Sequence, residues 1–166
     1  MKSTKYLFVI IIVVKIISCS NDSVNETNKL YYNHIIKNDK GIIRGVYFNQ
    51  NPQQIKKKER GKVLVTDTET ILEYEYQLDT LGTYVVAYQF DQKGCYEIDI
   101  DVYLTSNDFA AEAQKTLNAY FSNKYGSPTE KENLLVWKDQ QKTITVELDY
   151  LNKSEGELML TVFANE

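Results

Sequence analysis

Apolar and polar residues alternate with period two along three stretches in the middle of the chain. Leu72, Tyr74, Tyr76 and Leu78 alternate with Glu73, Glu75 and Gln77. Tyr84, Val86, Tyr88 and Phe90 alternate with Val85, Ala87 and Gln89. Tyr96, Ile98, Ile100, Val102 and Leu104 alternate with Glu97, Asp99, Asp101 and Tyr103. Successive side chains on a strand point to opposite faces, so each stretch predicts a strand with one apolar face. The segments "DTLGT" and "DQKGC" between them predict short hairpin loops.

The period then changes. Phe109, Ala113, Leu117, Tyr120 and Phe121 recur at helical spacing, Ser106 or Asn107 can cap them, and Gly126 and Pro128 end the run. Three more strands are expected over 134–138, 143–151 and 157–164. In the second of these, Ile144, Val146, Leu148 and Tyr150 alternate with Thr145, Glu147 and Asp149. Upstream, Asn51-Pro52 reads as a cap followed by proline in the first helical turn, with a helix over 53–60 and Gly61 as its stop. Residues 29–48 are poorly patterned. Leu30, Tyr31, His34 and Ile35 have helical spacing, and 42–48 reads as a strand.

These elements form a helix followed by three strands, twice, over 51–104 and 106–164. Gly61 and Gly126 are 65 residues apart, Tyr74 and Trp137 are 63 apart, and Gly94 and Gly156 are 62 apart. The expected fold is α+β: an antiparallel sheet with helices on one face, built from two helix-strand-strand-strand repeats within a single domain over 29–166. In organisation it resembles the tandem-repeat β-lactamase inhibitor proteins and the small outer-membrane assembly lipoproteins. No motif is shared with either, so that resemblance implies a fold and no activity.

The first residues carry a different signal. Met1 to Lys5 is short and basic, and Tyr6 to Val14 is an unbroken apolar run extended by Ile16 and Ile17. A charged segment followed by a short apolar one is the layout of a secretory leader, and the run falls below the roughly 20 apolar residues a membrane span needs. Ile16, Ser18 and Cys19 resemble the lipobox of bacterial lipoproteins, and "SCS" followed by Asn21 and Asp22 resembles its Bacteroidota form. Ile17 and Lys15 depart from the commonest pattern. The resemblance implies a signal peptide over 1–18, cleaved before Cys19. The Cys19 thiol would then carry a diacylglycerol, with acyl chains such as palmitate. It implies a polar tether over 19–28 and a place in the cell envelope, at the outer membrane, facing either the periplasm or the outside. Asp22-Ser23-Val24 and Asp79-Thr80-Leu81 resemble the O-glycosylation tripeptide of exported proteins of that group, which makes Ser23 and Thr80 candidate glycan sites.

Composition narrows the partners. The chain of 166 residues has a formal charge of −4. Three lysines precede Cys19, so a chain starting there would carry 16 basic against 23 acidic side chains. Such a surface repels phosphate backbones, and no nucleic-acid partner is expected. With Cys19 lipidated, Cys95 is the only thiol left and reads as a small buried hydrophobe. The single histidine, His34, sits in an unpatterned segment. There is no Ser-His-Asp set, CxxC, HExxH or phosphate loop, so no cofactor and no catalysis are expected.

Three groups remain as candidates. Glu97, Asp99 and Asp101 form an acidic row whose first reading is a solvated sheet face, with a metal site as the weaker one. Lys56, Lys57, Lys58, Arg60 and Lys62 form a basic cluster that could meet anionic headgroups or simply be solvated. Tyr103, Met159, Phe163 and Trp137 fall opposite the expected core and would form a binding face for a protein or a cell-surface polymer. The expected function is non-catalytic binding or scaffolding at the envelope, on a lipid anchor in the membrane. The alternative is a small hydrolase using Glu97 with Asp99 or Asp101.

Overall fold

The computed structural model describes residues 28–59, 63–152 and 155–165. The expected leader over 1–18, Cys19 and Ser23 lie outside them. The elements run α1, the π-helical turn Tyr32–Ile36; α2, Pro52–Lys58; β1, Val63–Asp67; β2, Ile71–Gln77; β3, Gly82–Asp91; β4, Gly94–Leu104; α3, Asn107–Tyr125; β5, Thr129–Lys131; β6, Leu134–Lys138; β7, Ile144–Asn152; and β8, Glu157–Ala164. All eight strands join one antiparallel sheet in the order β1-β2-β3-β4-β8-β7-β6-β5. The α+β class and the antiparallel sheet are as the sequence predicts.

Local chemistry sets the helix ends. Asn51 Oδ1 accepts from Gln54 N at 3.0 Å, while Gln54 Oε1 accepts from Asn51 N at 2.9 Å. That reciprocal box, with Pro52 in the first turn, starts α2. Ser106 Oγ accepts from Phe109 N and starts α3, which Gly126 ends at φ +92°.

The period-two pattern builds the core. Leu72, Tyr74, Tyr76, Tyr84, Val86, Tyr88, Ile98, Ile100, Val102, Leu158, Leu160 and Val162 are all buried on one sheet face. Ala110, Ala113, Leu117 and Phe121 of α3 bury the matching stripe, and Ile55 buries the one apolar side of α2. Phe121 meets Trp137 of β6 at 5.6 Å between ring centres. The Tyr31 hydroxyl donates to Phe109 O at 3.0 Å and ties the N-terminal segment to α3. Gly94 sits at φ +122°, where a Cβ would lie 2.6 Å from the Asn49 backbone. This close approach lets Asn49 N reach Cys95 O at 2.8 Å and Cys95 N reach Gln50 O at 2.9 Å, fixing where α2 begins.

Three expectations are corrected. Residues 42–48 form no strand: an isolated Ile43–Val46 bridge closes a tight turn in which Arg44 and Gly45 have φ +55° and +75°. α2 and α3 are each followed by four strands rather than three, because β1 and β5 also pair at the sheet edges. Finally, Trp137 is on the covered face, 1% exposed, and does not join Tyr103, Met159 and Phe163. Leu134 and Val136 are apolar as well, so β6 has no polar face to mark its outside, and contact with α3 decides the orientation.

Candidate functional site

The covered face contains a buried charge cluster that the sequence pattern does not announce. Glu59, one residue past α2, is 1% exposed, and so is Arg44 in the 42–46 turn. Glu59 Oε1 accepts from Arg44 Nε at 3.1 Å and from the Tyr88 hydroxyl at 2.7 Å. Its Oε2 accepts from the Tyr76 hydroxyl at 2.5 Å and from Lys37 Nζ at 2.8 Å. Arg44 Nη1 donates to the carbonyls of His34 and Ile35. The guanidinium lies 4.7 Å from the centre of the Tyr76 ring, which stacks on Tyr84 at 4.5 Å.

Burial alone would raise the Glu59 carboxyl. The Arg44 charge and the hydrogen bonds from Arg44, Lys37 and Tyr76 outweigh it and hold the group at about 2. Burial pushes the Tyr76 and Tyr88 hydroxyls well above their ordinary value, so they act as donors at neutral pH. Among the described residues no buried side-chain nitrogen or oxygen lacks a partner. The cluster is a latch: it fastens α1, the 42–46 turn and α2 to β2 and β3.

The other sheet face is organised differently. Register places Glu73, Ala87, Asp99, Thr161 and Glu147 in one row across five strands. The next row holds Glu75, Val85, Asp101, Met159 and Asp149. Carboxylates therefore fall on β2, β4 and β7, with neutral or apolar side chains on β3 and β8 between them. Adjacent strands lie about 4.8 Å apart, so acidic stripes repeat at about 9.6 Å across the β2–β3–β4 and β4–β8–β7 spans. Tyr103 is 45% exposed, and Met159 and Phe163 are half-buried on this face.

Glu97 and Asp99 are held there by neutral donors. Gln89 Nε2 donates to both Glu97 and Asp99, and the Thr161 hydroxyl donates to Asp99 at 2.9 Å. Partial burial, then the neighbouring Asp99, raise the Glu97 and Asp101 carboxyls. The three side chains do not converge as the weaker metal reading requires: among the described residues no group of three His, Cys, Asp or Glu could hold a metal ion. A straight strand spaces them along its length instead of folding them around a point.

The remaining candidates are dispersed. Cys95 is buried, and burial pushes its thiol up to about 12. The His34 ring packs edge-on against Tyr84 at 6.4 Å, and its carbonyl serves the latch. Thr80 is exposed in the β2–β3 hairpin. Lys56 pairs with Asp67 of β1 at 2.6 Å, Lys58 Nζ donates to Gly45 O, Lys57 is exposed, and Arg60 and Lys62 lie outside the described residues. Five surface depressions of about 270–530 Å³ line other parts of the molecule, and Glu97, Asp99 and Asp101 border none of them. Compared with protein-family profiles, curated proteins and solved structures, the chain matches none.

Proposed function

We propose that this chain is a lipid-anchored protein of the cell envelope whose role is non-catalytic binding or scaffolding. The signal-peptide and lipobox resemblance of residues 1–19 supports the anchor at Cys19 and a place at the outer membrane. The observation that carries the binding role is the sheet face opposite the helices, where carboxylates on β2, β4 and β7 alternate with apolar or neutral side chains on β3 and β8. A face so rich in carboxylates, with Tyr103, Met159 and Phe163 among them, suits a protein or polymer that brings positive charge and some apolar surface.

The hydrolase reading has one observation in its favour, the raised Glu97 carboxyl beside Asp99, as a proton donor beside a carboxylate would need. Against it, these groups border none of the five depressions described above. We also read the domain as two copies of one helix-plus-strands unit. The strand order supports this, because β1-β2-β3-β4 and β8-β7-β6-β5 meet last strand to last strand.

The test is photocrosslinking of the intact chain in its native membrane, with the probe at position 103 or 159 and, for comparison, at the exposed Lys115 of α3. Adducts concentrated at 103 and 159 are expected. Equal or absent labelling at those positions would refute the binding face. Loss of turnover on a glycan substrate in Glu97→Gln would install the hydrolase in its place.

A further inference from the structure

The sheet has two unlike edges. β5 is three residues long and polar throughout, Thr129, Glu130 and Lys131, which discourages pairing with another chain. β1 is the opposite: Val63, Leu64 and Val65 are 66%, 40% and 52% exposed. They run consecutively because the register slips between Leu64 and Thr66, leaving Val65 as a bulge. A bulged edge is a poor template for a further strand, so something other than strand addition suits this apolar tip.

The α2 side of β1 is cationic. Lys56 reaches across to Asp67 of β1, which places α2 alongside this edge. Lys57 points to solvent on the same helix. Lys58 continues into a depression of about 290 Å³ that Lys37, Lys40 and Arg44 also line, with Tyr47 exposed at its side. Arg44 is buried against Glu59, so the cations this end offers to solvent are Lys37, Lys40, Lys56, Lys57 and Lys58, with Lys37 paired to Glu59 and Lys56 to Asp67, in a chain whose formal charge is −4. Asp39 is turned toward Tyr120 and Lys124. Glu73 and Glu75 flank β1 from the open face, across the sheet from α2.

We propose that the α2–β1 end is a membrane-docking surface, inserting Val63, Leu64 and Val65 among anionic phospholipid headgroups while Lys40, Lys57 and their neighbours meet the phosphates. Apolar side chains bordered by lysines are the pattern by which a protein lies on a charged bilayer. The inference rests on the reading of the chain as membrane-tethered. The eight residues between Cys19 and Asn28 reach at most about 29 Å when fully extended. A tether that short holds the domain at a local concentration near the millimolar range, so a weak surface contact suffices. Edge-on docking leaves Glu73 and Glu75 near the headgroups and stands the β4 and β7 carboxylates of the acidic face away from them, open to a partner.

The test uses the intact chain, purified from membranes and reconstituted in vesicles. A polarity-sensitive dye is attached at Leu64→Cys, where the buried Cys95 does not compete. In vesicles of phosphatidylcholine with phosphatidylglycerol, a blue-shifted dye quenched from within the lipid is expected. Phosphatidylcholine alone should leave it wet. Lys57→Glu, which changes an exposed residue's charge by two, should lower the docked fraction about tenfold. A dye that stays wet on anionic vesicles overturns the proposal, as does indifference to Lys57→Glu. A dry dye that is independent of lipid charge and grows with protein density would assign the edge to a second copy and overturn it too. The mass of the same preparation reads the anchor separately: acyl mass with a wet dye keeps the tether and removes the docking surface, and a dry dye without acyl mass does the reverse.

Discussion

Glu59 Oε1 lies 3.1 Å from Arg44 Nε, and neither side chain keeps more than 1% of its surface in water. Fifteen residues separate the two along the chain, and both sit outside regular elements. Removing either partner leaves the other charge buried. Arg44→Met is therefore expected to cost about 3–5 kcal/mol. The paired change Arg44→Met with Glu59→Gln should cost clearly less than the two single changes together. Urea titration of the four proteins gives the coupling directly, and simple additivity would refute the latch.

Acid should open the same latch. Glu59 sits at about 2 in the folded protein against an ordinary 4.5. A lowered value stabilises above the unfolded one, and that contribution is lost as pH falls from 4.5 toward 2. The full difference corresponds to about 3 kcal/mol. Melting temperature followed over this window should drop steeply in the wild type and more gently in Glu59→Gln.

The open face should respond with the opposite sign. Partial burial and neighbouring carboxylates raise Glu97 and Asp101. A raised carboxyl contributes stability once protonated, and the contribution fades as pH rises through the folded value. At neutral pH the face carries the repulsion. Asp101→Asn should thus leave the protein equally or more stable at pH 7, by up to about 0.5 kcal/mol, with the gain vanishing near pH 4. A clear loss of stability at pH 7 would contradict the account.

Cys95 is 0% exposed with its thiol held at about 12. Thiol reagents at pH 8 should label it only as fast as the sheet opens, and labelling should jump through the urea transition. Prompt labelling in the native state would show that β4 is not packed as described.

What the sequence discloses follows from range. The faces of β2, β3, β4, β7 and β8 are legible because a period of two is a local signal. The ends of α2 and α3 are legible because Asn51, Gln54 and Ser106 act on backbone a turn away. Trp137 is misplaced by pattern because β6 is apolar on both faces and only the distant Phe121 chooses between them. β1 and β5 escape notice because an apolar triplet and a polar triplet show no alternation. The latch is invisible for the same reason as the orientation of β6. Glu59 reads as the lone acid in "KKKER", and nothing nearby indicates that Arg44, Tyr76 and Tyr88 will surround it. The open face stands between these cases, since its carboxylates can be read strand by strand but their stripes exist only once the strands are in register.

The β4–β8 pairing has a consequence for assembly in time. Until Glu157–Ala164 arrives, the protein is two separate meanders, β1 to β4 and β5 to β7, each with a bare inner edge. The last described strand must enter between them and satisfy both edges at once, by contacts with residues about 60 positions earlier and about 12 positions earlier. Closure thus depends on non-local pairing, the kind of contact that is slow to form. A chain emerging from its N-terminal end leaves the inner edges of β4 and β7 unpaired, and open to wrong partners, until β8 has appeared.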